Sequence, residues 1–160
     1  EKKPLNPYAL QKLQSEQYIQ MYADLYGTTY TILRYFNVYG ERQILDGAYA
    51  AVVGILLDQK ANDKSMSVTG DGEQRRDFTY VKDVAKANVM GMNWNGIFNI
   101  GNGDNKSINE LTVAIGGHRH HLPEAENEVR VTLADNTRAR EQGWKPTMQI
   151  EDWIDSVVER

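Results

Sequence analysis

Cysteine is missing from all 160 residues, which excludes disulfides, thiolate zinc sites and thiol nucleophiles. Long apolar runs are missing too. The longest candidate, Ala48 to Leu57, falls well short of the roughly eighteen residues that a membrane span needs, and Gly54 interrupts it. With no secretory leader recognisable in these residues, the cytoplasm is the expected compartment. Basic charge is scarce: 18 Lys and Arg stand against 22 Asp and Glu, giving a net charge of -4. A nucleic-acid partner, which normally requires a basic stripe, is therefore not expected. The glycines do not supply a dinucleotide fingerprint either. Gly70 and Gly72, Gly101 and Gly103, and Gly116 and Gly117 fit neither G-x-x-G-x-x-G nor G-x-G-x-x-G, and none opens a long helix after a first strand. The histidines are confined to His118-Arg119-His120-His121, where no cysteine or paired carboxylate stands at ligand spacing and Arg119 adds positive charge. No metal site is expected there, but an exposed loop or fraying helix end.

What remains is ordinary for a globular domain: 41% hydrophobic residues and 9% aromatics, in a chain long enough to bury about two thirds of its unfolded surface. Asn6 reads as an N-cap with Pro7 in the first helical position and Gly27 as the stop, framing a helix of about twenty residues. Its stripe of Leu10, Leu13, Met21, Tyr22 and Leu25, widened by Tyr18, Ile19 and Tyr26, predicts packing on two sides. Thr28 to Phe36 reads as a buried strand feeding a loop at Asn37 to Gly40. A helix over 48–60, strands at 66–69, 78–81, 98–100 and 129–133, and helices over 83–92, 137–142 and 150–159 follow. Ser107-Ile108-Asn109-Glu110 is a capping box opening another helix toward Ile115. The order is mixed α/β, without repeats or a low-complexity linker.

Tyr8 and Lys12 stand four residues apart at the start of the first helix, on one face of it. A free tyrosine ionises near pH ~10, and a neighbouring ammonium favours its phenolate, which makes such a pair suitable for proton transfer at neutral pH. An ordinary Tyr above a solvated Lys has the same spacing.

The surrounding text narrows the choice. Pro4-Leu5-Asn6-Pro7-Tyr8-Ala9-Leu10-Gln11-Lys12, then Leu33-Arg34-Tyr35-Phe36-Asn37-Val38-Tyr39-Gly40, resembles the extended short-chain dehydrogenase/reductase family, in particular the UDP-N-acetylglucosamine and UDP-glucose 4-epimerases. The resemblance continues in order through Gly47-Ala48-Tyr49-Ala50-Ala51-Val52, Gly70-Asp71-Gly72-Glu73-Gln74-Arg75-Arg76-Asp77-Phe78-Thr79-Tyr80-Val81, Phe98-Asn99-Ile100-Gly101-Asn102-Gly103, Ala134-Asp135 and Gly143-Trp144-Lys145-Pro146. It implies a single α/β unit over residues 1–160, made of the last elements of a Rossmann-like fold and a small sugar-nucleotide subdomain. The glycine-rich turn and the catalytic Ser or Thr of the family lie outside these residues, so the expectation is a fragment lacking the cofactor-binding half.

The same resemblance assigns roles. Tyr8 and Lys12 are the expected catalytic residues and nicotinamide-ribose contacts, with NAD the cofactor of the intact enzyme and the isolated chain inert and weak in NAD binding. Asn37, Ala51, Val52, Ser67, Thr69 and Arg76 are the expected contacts to a nucleoside-diphosphate sugar, most simply a UDP-sugar. Arg76 is the expected phosphate clamp; an ion pair with Asp77 or Asp71 is its plainer alternative. A second phosphate-facing arginine of the family aligns with Ala125, leaving Arg130 or Arg119 as substitutes. Trp144 and Trp153 read as packing anchors. The first helix resembles one used in dimer bundles, so a homodimer or higher oligomer is expected. A non-catalytic sugar-nucleotide-binding or oligomerisation module, and a fragment of a 4,6-dehydratase or reductase, stay open beside the epimerase.

Overall fold

A computed structural model of the chain describes residues 3–45, 47, 50–124 and 129–158. The first helix, α1 (Pro7–Tyr26), begins and ends where local chemistry dictates. Asn6 Oδ1 accepts the Ala9 N–H at 2.8 Å, Pro7 fits the opening turn, and Gly27 ends the helix in the left-handed region at φ 62°.

The face that α1 turns inward is not the expected one. Ala9, Leu13, Glu16, Gln20 and Ala23, spaced four and three apart, are the residues withdrawn from solvent, and of these only Ala23 is fully buried. Tyr18, Met21, Tyr22, Leu25 and Tyr26 are exposed, with Tyr22 and Tyr26 stacked at 5.7 Å. Two-sided packing is therefore not made among the described residues. Glu16 draws the helix in on its polar side, because Arg34 donates to it through both Nε and Nη2.

In chain order there follow β1 (Thr31–Tyr35), β2 (Val38–Tyr39), α2 (Val52–Ala61), β3 (Met66–Thr69), β4 (Arg75–Arg76), β5 (Thr79–Tyr80) and α3 (Val81–Gly91). The second half holds β6 (Gly96–Ile100), β7 (Lys106–Ser107), α4 (Ile108–Ile115), β8 (Arg119–Leu122), α5 (Thr137–Glu141) and α6 (Ile150–Val158). The strands pair two by two: β1 with β6, β2 with β5 and β3 with β8 in parallel, β4 with β7 antiparallel. Parallel neighbours need a crossover, and α3 supplies the one between β1 and β6 while α4 precedes β8.

Two apolar clusters hold these pieces. One gathers Val53, Leu56, Val68, Phe78, Leu111, Ile115 and Trp153 between α2, α4 and α6. The other surrounds Trp144 with Phe98, Ile100, Ala87, Trp94 and Ala139 beneath β6. Both tryptophans are buried anchors, as their setting suggested.

Asp77 is a fully buried carboxylate. Asp77 Oδ1 accepts the Asn102 N–H at 2.7 Å, and Oδ2 accepts those of Gly103 and Ala134 at 3.0 and 2.9 Å. Burial pushes its ionisation up from the ordinary carboxylate value, against the pull of these three donors. A side chain at Gly101 would collide with Ala134 and press on Asp77, so glycine is what lets the three segments meet. Asp83 closes a second tie, taking the Thr147 N–H and hydroxyl at 2.8 and 2.7 Å while its carbonyl takes the Trp144 indole N–H.

Several local expectations change. Residues 119–122 form the edge strand β8 rather than a loop or helix end, because their backbone completes the ladder of β3 while all four side chains stay exposed. Residues 129–133 make only an isolated parallel bridge, Val131 to Arg75, and Val129, Val131 and Leu133 face solvent instead of a core. The short strands β2, β4 and β7 are additions that a two-residue signal could not announce. Ala48, Tyr49, Ala125, Glu126 and Glu128 lie outside the described residues. Among the described residues no helix is long and apolar enough to cross a membrane, and no group of three or more acidic or histidine side chains is arranged for a metal ion.

Candidate functional site

A cavity of about 550 Å³ opens between α2, β3 and β4, within the size range of small-molecule sites. One wall is the start of α2, where Ala50 to Val53 line the space. The N-cap residue Ala51 has no side-chain oxygen to satisfy the first amides of the helix, which leaves that end electropositive toward the cavity. Facing it is Arg76, whose Nη1 is steadied by the carbonyls of Arg75 and Arg130 at 3.0 and 3.4 Å. A helix N-terminus and a guanidinium in one hollow are suited to an anion.

Asn37 enters from the loop after β1. Its Nδ2 donates to the Asp77 carbonyl at 3.1 Å and to Thr132 Oγ1 at 3.4 Å, and its backbone carbonyl accepts the Thr79 N–H. Ser67 and Thr69 contribute the strand wall, and Val38, Phe78, Ile108 and Leu122 add apolar lining. All six residues expected to contact the ligand, Asn37, Ala51, Val52, Ser67, Thr69 and Arg76, thus line this single cavity.

The two acids of the plainer alternative for Arg76 are engaged by other donors. Asp71 is held bidentately by Arg130 at 2.9 and 2.8 Å, which drops its ionisation to about 2, and the Asp77 oxygens are taken by backbone donors. Arg119 donates to Thr112 Oγ1 at 2.9 Å. Both suggested substitutes for a second clamp are thus engaged elsewhere.

Tyr8 and Lys12 do not join that cavity. They line a separate, open groove of about 500 Å³ with Asn6, Leu13, Glu16 and Arg34. Lys12 Nζ stands 5.3 Å from the centroid of the Tyr8 ring, over its face, and Tyr8 keeps 66% of its surface exposed. The helical spacing brings phenol and ammonium together at this open groove.

The model of the NAD dependent epimerase/dehydratase family matches residues 1–101. The chain belongs to that family. It is 44% identical over 97% of its length to a putative UDP-glucose 4-epimerase of Methanocaldococcus jannaschii, covering 53% of that protein. The UDP-N-acetylglucosamine 4-epimerase of Methanobrevibacter ruminantium M1, solved with UDP-N-acetylmuramic acid, superposes with a TM-score of 0.91 at 35% identity, over 98% of this chain and 54% of that one. The UDP-glucose 4-epimerase of Thermotoga maritima, solved with UDP-glucose, gives a TM-score of 0.91 at 36% identity over 98% and 53%. The fold is therefore the α/β, Rossmann-like fold of these epimerases, and the chain spans about half the length of the curated relatives it matches.

Two polar residues, one lining this cavity and one bonded to its wall, escaped sequence reasoning. Gln74, buried within the Gly72-Glu73-Gln74-Arg75-Arg76 motif, lines the cavity and donates through Nε2 to the Thr69 carbonyl at 3.0 Å. Its place beside Arg76 was the available signal. Gln59 bonds Ser67 across a tertiary contact, and nothing in the local text of α2 marks it.

Proposed function

We propose that the chain is the sugar-nucleotide-binding part of an NAD-dependent 4-epimerase acting on a UDP-linked hexose. The observation that carries this reading is the pairing of Arg76 with the uncapped start of α2 in one cavity, beside a strand edge at Ser67 and Thr69. The pair suits a diphosphate, each charge-assisted hydrogen bond contributing about 1.5–3 kcal/mol, and the strand edge suits a base and ribose. Sequence identity to UDP-glucose 4-epimerases over nearly the whole chain supports the same assignment.

In the intact enzyme Tyr8 would take the proton of the sugar hydroxyl, and Lys12 would hold the ribose next to the nicotinamide. NAD, when bound, supplies the hydride chemistry. Only Tyr8 and Lys12 of this chain are assigned to it, and two side chains on an open groove do not enclose a dinucleotide. The chain alone should therefore bind nucleotide without turnover.

That exposure of Tyr8 and Lys12 favours a second reading for the isolated chain, a sugar-nucleotide-binding or oligomerisation module without catalysis. Separate calorimetric titrations of the 160-residue chain with UDP, UDP-glucose and NAD test both. Binding of UDP and UDP-glucose but not NAD is the expected result. Failure to bind UDP would overturn the proposed site.

A further inference from the structure

We propose that Gln59 is a positioning residue of the cavity, fixing which hydrogen-bonding groups Ser67 and the outer edge of β3 present to the ligand; this rests on the nucleotide reading above. Gln59 belongs to α2, the helix whose other end forms the anion-facing wall. Its carboxamide grips Ser67 twice, Oε1 accepting the Ser67 N–H at 2.9 Å and Nε2 donating to Ser67 Oγ at 2.8 Å. The two walls of the cavity are thereby locked to each other.

Backbone groups alternate sides along a strand. Met66 N–H donates to the His118 carbonyl and Gly70 N–H to that of Leu122, so these residues face β8 and the backbone groups of Ser67 and Thr69 face the opposite edge. On that edge Gln59 occupies the Ser67 N–H, and Gln74 occupies the Thr69 carbonyl. Between the two glutamines lie the Ser67 carbonyl, an acceptor, and the Thr69 N–H, a donor. A flat ring carrying an N–H beside a C=O meets both.

The Ser67 hydroxyl completes the pattern. Because its oxygen accepts from Gln59 Nε2, its own hydrogen is directed elsewhere, and Ser67 lines the cavity. Gln59 thus makes Ser67 a donor toward the ligand. A leucine at 59 frees the hydroxyl to rotate, and a glutamate turns its hydrogen away from the cavity toward the new carboxylate.

A double-mutant cycle on the 160-residue chain, read by calorimetry with UDP, tests this. Gln59→Leu and Ser67→Ala should each weaken UDP by about tenfold, the worth of one hydrogen bond, and the double variant should bind no worse than either single one. Amide exchange should show the Ser67 N–H protected in the parent and in Gln59→Glu, and exchanging faster in Gln59→Leu. Gln59→Glu replaces the leucine variant in the cycle if the latter does not fold. Unchanged UDP affinity in the Gln59 variants, or losses that simply add, would overturn the assignment. A parent chain that does not bind UDP sinks the nucleotide reading and this one together, whereas tight binding indifferent to position 59 sinks only this one.

Discussion

Arg76 and Tyr8 line two separate hollows, and each makes its own demand on a substitution. A guanidinium forks onto two phosphate oxygens where an ammonium is a point charge. Arg76→Ala is therefore expected to weaken UDP by roughly 10- to 100-fold in calorimetry, with Arg76→Lys recovering only part. Equal affinity in the alanine variant would remove Arg76 from the site. Tyr8→Phe deletes one oxygen at a residue that does not line the cavity holding Arg76. In a reconstituted full-length enzyme it should abolish epimerisation while leaving the dissociation constant for UDP-sugar within about twofold. Retained turnover would take the proton-transfer role away from Tyr8.

The turn between β3 and β4 depends on an ion pair at the surface. Arg130 holds Asp71, and Asp71 in turn accepts the Glu73 N–H at 2.9 Å, so the segment before Arg76 is tied to residue 130. The carboxyl falls from its usual 3.8 to about 2, chiefly through the Arg130 hydrogen bond. A depressed acid stabilises the folded state above its unfolded pKa and loses that contribution as pH falls through the folded one. The part of the stability difference between the parent and Arg130→Ala that Asp71 carries should accordingly be full above pH 4 and fall away as pH drops through about 2. Carboxyl NMR titration should find Asp71 near 2 in the parent and higher in the variant. An Asp71 that titrates alike in both would disprove the coupling. A neighbouring element needs no such test of design: Ser107 and Glu110 cap α4 reciprocally, so that helix starts where its own sequence sets it.

Seen whole, the molecule keeps two cores covered and one helix face bare. Tyr18, Tyr22, Leu25 and Tyr26 expose more than half their surface along α1, an apolar patch of the kind that marks association. The chain is expected to sediment as a dimer or larger species at micromolar concentration, and Leu25→Glu with Tyr22→Glu should shift it toward monomer. A parent that sediments only as monomer would show that this face is covered by something other than a second copy. Since the chain spans about half of its relatives, full-length protein is the natural comparison in the same experiment.

Local chemistry determined what the sequence alone could settle. The limits of α1 follow from Asn6, Pro7 and Gly27, the start of α4 from its capping box, and the anchoring tryptophans from their apolar setting, because each depends on atoms within a few residues. The family motifs likewise selected six residues that converge on one cavity. Tertiary structure decided the rest. The inward face of α1 was chosen by Arg34 reaching Glu16, the strand at 119–122 by the free ladder of β3, and the orientation of Ser67 by Gln59. Each of these is a bond between two different elements of the fold, and periodicity records how residues share a face without recording which partner that face will meet.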